Sequence, residues 1–161
     1  MLKKITLFSL ICFTSVTFAG APSFQHEVEM NVTQSALTVG SAASFSIGAG
    51  YAYGLTDMFQ VGGRVTFSTV SSVSTFVILA GGALNLNIMN PGGKINYADA
   101  LFIQAYVGFT SAAGATSFTF EGTVGKRFAV LKNVTYNPEL GVLVAGGAAF
   151  IARPLQFSIL F

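Results

Sequence analysis

The sequence predicts an all-β chain whose eight antiparallel strands close up-and-down into a transmembrane β-barrel. Three observations predict it. Large apolar side chains recur at every second position over long stretches, the face opposite them carries mostly glycine and small polar residues, and only 9% of the chain is charged while 52% is apolar. A period of two is the strand signature. Charge this sparse is too little for the Lys, Glu and Asp coat that keeps a soluble sheet dissolved, so the large residues are expected to face lipid and the small and polar ones a lumen.

The alternation is explicit. Phe45, Ile47, Ala49, Tyr51 and Tyr53 oppose Ser44, Ser46, Gly48, Gly50 and Ala52, and Phe59, Val61, Val65 and Phe67 oppose Gln60, Gly62, Arg64, Thr66 and Ser68. Ile103, Ala105, Val107 and Phe109 oppose Gln104, Tyr106, Gly108 and Thr110, and Phe118, Phe120 and Val124 oppose Ser117, Thr119, Glu121 and Thr123. Strands are predicted over 26–37, 42–55, 58–70, 75–88, 99–110, 116–128, 134–146 and 151–161. Each has at least the 9–11 residues that a tilted strand needs to cross a bilayer. Turns are expected at Leu55–Met58, at Asn90–Lys94 and near Lys132 and Asn133. The opposite connections, around 38–41, 70–74, 111–115 and 146–149, carry no charge. The best apolar runs, "FVILAGGALNLNIM" and "LGVLVAGGAAFIA", are too short for a membrane helix.

Residues 1–19 follow the plan of a secretory signal peptide: Lys3 and Lys4, an apolar run from Ile5 to about Phe18, then small residues, with cleavage expected after Ala19 and after Ala21 as the alternative. That leaves residues 20–161 as a single barrel domain. Without the leader, Arg64, Lys94, Lys126, Arg127, Lys132 and Arg153 balance Glu27, Glu29, Asp57, Asp99, Glu121 and Glu139. A balanced charge leaves no electrostatic footprint for nucleic acid. Cys12, the one cysteine, lies inside the leader, so neither a disulfide nor a thiolate metal site is expected.

The sequence closes on "PLQFSILF". Leu155, Phe157, Ile159 and Phe161 alternate toward a final aromatic, a pattern that resembles the C-terminal insertion signal of bacterial outer-membrane β-barrels. With the leader and the strand count, the chain is similar to the small eight-stranded outer-membrane barrels, the broad group of OmpX, OmpW and the OmpA membrane domain. The resemblance implies a bacterial outer-membrane location, with outer-membrane lipid and, during assembly, the barrel-insertion machinery as partners, and a monomer. It departs from the group in its short, uncharged loops, which weaken an adhesin reading, and in having no Trp for the interfacial girdles. Tyr51, Tyr53, Phe59, Phe128, Tyr136 and Phe161 would serve at the periplasmic rim, and Phe45, Phe67, Phe76, Phe109 and Phe118 at the outer one.

An eight-stranded barrel is just wide enough for side chains to fill it. The expected lumen contains Glu27, Glu29, Arg64, Gln104, Tyr106, Glu121, Arg127 and Glu139, and buried charges must pair. Two readings follow. One is a plug of ion pairs, with Arg64 between Glu121 and Glu139 and Arg127 toward Glu27 or Glu29, which makes the chain a structural or interaction barrel. The other is a narrow channel for ions or small solutes; the plug is preferred. Some barrels of this group modify lipid A with a His, Ser and acid constellation, but here the only histidine is His26, at the opposite end from such a site. No catalytic residue, cofactor or metal ligand is therefore assigned.

Overall fold

The computed structural model describes residues 24–33, 44–70, 73–87 and 95–161. The proposed leader, the turn at Asn90–Lys94 and the connection around 38–41 lie outside the described residues. Among the described residues, eleven strands form one antiparallel sheet: β1 (His26–Thr33), β2 (Ser44–Gly54), β3 (Phe59–Val70), β4 (Val73–Leu86), β5 (Leu101–Ala112), β6 (Ala115–Lys126), β7 (Phe128–Leu131), β8 (Val134–Tyr136), β9 (Glu139–Val144), β10 (Ala148–Arg153) and β11 (Gln156–Leu160). A 3-10 turn, Tyr97–Asp99, lies between β4 and β5. No helix among the described residues is long and apolar enough to cross a membrane.

From β1 to β6 each strand pairs with the next. β6 then pairs with β9 and β9 with β10, while β11 pairs with both β1 and β8, and β8 with β7. The sheet is strongly curled, because side chains of strands distant in this order meet inside it: Arg64 of β3 reaches Glu29 of β1, Glu121 of β6 and Glu139 of β9.

The periodicity predicts eight strands and the structure has eleven. The segment expected as one strand over 134–146 is divided at Asn137 and Pro138, and the one over 151–161 at Pro154 and Leu155. Proline has no N–H to give a ladder and interrupts it. The third addition is β7, which turns back onto β8 through Lys132 and Asn133.

Two of the turns show their local chemistry. At Leu55–Met58 the Thr56 hydroxyl accepts hydrogen bonds from the backbone N–H of Met58 and Phe59, at 3.1 and 3.0 Å, and fixes the β2–β3 reversal. At the other end of the sheet, Ala113 and Gly114 both have positive φ, 49° and 82°. That is the backbone a two-residue hairpin needs to follow the strand twist.

The molecule is inverted relative to a soluble protein. Met30, Phe45, Ile47, Phe67, Ile78 and Phe109 are among the many large apolar residues that face outward, and Phe150 is 83% exposed. Glu27, Glu29, Arg64, Gln104, Glu121, Arg127 and Glu139 are buried. The interior is less uniformly small and polar than the alternation predicts. Val77, Leu79 and Tyr106 form a buried apolar cluster inside the curl. Gly81 makes room for it, since a Cβ there would stand 2.8 Å from the Tyr106 ring.

Candidate functional site

Among the described residues, the buried charged side chains gather into two clusters, each built around arginine. Arg127 follows β6 in phase with Glu121, Thr123 and Gly125 and turns inward at the end of the molecule that carries Thr56. Its Nη2 lies 2.9 Å from Glu27 Oε2 and donates to Gln60 Oε1 at 3.0 Å, and its Nη1 donates to Asn85 Oδ1 at 2.6 Å. The Tyr97 and Phe102 rings stack on the guanidinium, with centroids 4.4 and 4.7 Å away. Delocalised charge on a planar group suits such faces. The 3-10 turn places Tyr97 over the cluster, where its hydroxyl donates to Glu27 Oε2 at 2.7 Å. Burial pushes this phenol well above its usual range, so it remains a donor.

The second cluster is built on Arg64. Arg64 Nη1 is 2.7 Å from Glu121 Oε1 and 3.0 Å from Glu139 Oε1, and Nη2 is 2.9 Å from Glu29 Oε2. Nη2 also donates to Gln104 Oε1 at 3.0 Å, and the guanidinium lies 4.8 Å from the centre of the Tyr106 ring. Arg153 completes the group: its Nη2 is 2.6 Å from Glu121 Oε2, and its Nη1 bonds Glu139 Oε1. Two guanidiniums thus serve three carboxylates. The side chains of Arg64, Glu29, Glu121 and Glu139 are at most 3% exposed, and ions so far from water cost several kcal/mol each unless paired and hydrogen-bonded.

The structure brings together Arg64, Glu29, Glu121 and Glu139, and separately Arg127 and Glu27. Leu155, Phe157, Ile159 and Phe161 all lie on the outer face. The Phe161 carbonyl accepts from the N–H of Gln25 and of His26, and its own N–H donates to the His26 carbonyl, at 3.0, 3.2 and 2.9 Å. His26 itself is hydrogen-bonded through Nδ1 to the Tyr51 hydroxyl at 2.7 Å.

Sequence reasoning missed Arg153 and Tyr97. Counting back from Phe161 by twos puts Arg153 on the outer face, but the break at Pro154 and Leu155 shifts the phase, so that Arg153 and Gln156 both point inward. A proline directly after an arginine that the alternation would leave facing lipid is the signal that could have found it. Tyr97 carries no periodic signal, because it stands in a connection and not in a strand.

No protein-family model matches the sequence, and no curated protein matches it. The fold does have counterparts. A crystal structure of Neisserial surface protein A is similar over 88% of this chain and 94% of that one, with a TM-score of 0.58 and 16% identity. A structure from the de novo design of transmembrane β-barrels is similar over 89% of this chain and all of the other, with a TM-score of 0.55 and 16% identity. The fold is that of a transmembrane β-barrel, in agreement with the outward apolar face and the buried polar interior.

Proposed function

We propose that this chain is an integral barrel of the bacterial outer membrane whose lumen is closed by its own side chains, and that its role is structural or that of an interaction protein. The wall is read as eight staves. β1 to β6 supply six, β8 with β9 the seventh and β10 with β11 the eighth, which pairs back to β1 and closes the ring; β7 is a short strand added beside β8. Closure agrees with the rule that backbone groups facing lipid must all be satisfied within the protein. Residues 1–19 are the export leader in this reading, and Leu155, Phe157, Ile159 and Phe161 the signal read by the insertion machinery.

One observation carries the closed lumen. Both arginine clusters span the interior, with direct contacts between side chains of opposite walls and no fully solvent-exposed member. Planar-bilayer recording of the refolded protein tests this, with no discrete conductance steps expected. Reproducible steps in the native protein that change on Arg64→Ala would establish the channel reading instead.

A further inference from the structure

One seam of the interior is polar but unsatisfied. Asn31 of β1 and Gln156 of β11 are direct register partners. Both are buried, 2% and 0% exposed, and neither side-chain amide has a hydrogen-bond partner at its oxygen or its nitrogen. On the far side of β11, Asn137 spends its amide nitrogen on Ser158 Oγ at 2.5 Å, which leaves Oδ1 without a partner, and the Thr135 hydroxyl has none. Thr135 and Ser158 are themselves register partners, as are Ser158 and Glu29. Four unpartnered side-chain oxygens therefore line β8, β11 and β1 side by side.

The charge beside them is unbalanced. Glu29 stands two residues from Asn31 on the same face of β1 and belongs to the cluster in which three carboxylates meet two guanidiniums. Its Oε2 is held by Arg64, and its Oε1 accepts from the Gln104 amide at 3.4 Å. Excess negative charge in a low-dielectric interior demands a positive partner. Glycines clear the wall here: a Cβ at Gly48 would stand 2.7 Å from the Asn31 amide, and one at Gly50 2.9 Å from Glu29 Oε2.

We propose that this seam binds one monovalent metal cation, sodium or potassium, between the Glu29 carboxylate and the neutral oxygens of Asn31, Gln156, Asn137 and Thr135. The inference rests on the closed-lumen reading. Hard cations take carboxylate, amide and hydroxyl oxygens. One positive charge balances the cluster, whereas a divalent ion would overshoot. The amide nitrogens of Asn31 and Gln156, which have no partner, would donate to waters that the ion keeps.

The test compares thermal unfolding of the purified protein in detergent with sodium, potassium or choline chloride at equal ionic strength and pH. The midpoint is expected to rise by several degrees, saturably, in sodium or potassium over choline, and the rise to vanish in Asn31→Leu, Gln156→Leu and Glu29→Gln. Sodium NMR line broadening that potassium displaces would support the site on the native protein alone, should a variant fail to fold. Equal midpoints in the three salts, or a rise that survives all three substitutions, would overturn it. A carboxylic-acid infrared band lost in Glu29→Gln would also overturn it, by showing that a proton balances the charge. Silent bilayers with no cation response reject the ion alone, whereas native conductance steps reject the closed lumen and the ion with it.

Discussion

The two arginine clusters solve the same problem differently. Arg127 meets a single carboxylate, Glu27, and fills its remaining contacts with neutral amides, a phenol and two aromatic faces. It is charge-balanced and sits under the Tyr97 turn. Arg64 and Arg153 share three carboxylates drawn from β1, β6 and β9, so the group braces five strands at once. A balanced pair stands alone at one end; a shared set ties several strands together. The second arrangement has more to lose, because each arginine removed leaves several carboxylates facing one another.

The comparison can be broken by substitution. Arg64→Ala should have the largest effect, at the upper end of the roughly 3–5 kcal/mol lost when a buried pair is broken on one side, read from urea unfolding in detergent. No single carboxylate change should restore it, since Arg153 alone would then face three carboxylates. Arg127→Ala should fall at the lower end of that range, and pairing Arg127→Met with Glu27→Gln should recover most of the loss, because replacing both members of a buried pair is often near neutral. If the pair of changes recovers nothing, the Arg127 cluster is not the self-contained unit described. Tyr97→Phe removes one hydrogen bond to a carboxylate and should cost about 1.5–3 kcal/mol. Lys126→Ala breaks an exposed pair with Asp99, 2.6 Å apart, and should change the unfolding free energy least, by less than about 1 kcal/mol.

Much of this was legible in residue order. Tyr51 and Tyr53 against Gly50 and Ala52, or Val107 and Phe109 against Tyr106 and Gly108, announce which side faces out, because side chains of a strand alternate without exception while the ladder is regular. Where the ladder breaks, the reading fails. Pro154 and Leu155 reverse the phase of Arg153, and Pro138 divides a strand that the pattern shows as continuous. Val77 and Leu79 take the inward phase of β4, where Gly108 beside Leu79 and Gly81 beside Tyr106 leave room for bulk, which depends on cross-strand neighbours that only the fold supplies. The cross-wall partners of Arg64 were within reach of sequence, since all its candidates are glutamates on inward phases. Tyr97 was not, because nothing in a connecting segment states which way it will turn.

The seam between β1 and β11 has a kinetic meaning. Every pairing from β1 to β6 joins neighbouring segments, whereas β1 with β11 joins Glu27 to Leu160 and Asn31 to Gln156, the most remote pairings in the sheet. The entropy of bringing chain segments together grows with the loop between them, and distant pairing slows folding more than it alters stability. Until this seam zips, both flanking strands expose edges that can pair with another chain. The clasp of Gln25 and His26 onto Phe161 is thus a latch, and its worth lies in how briefly those edges stay open.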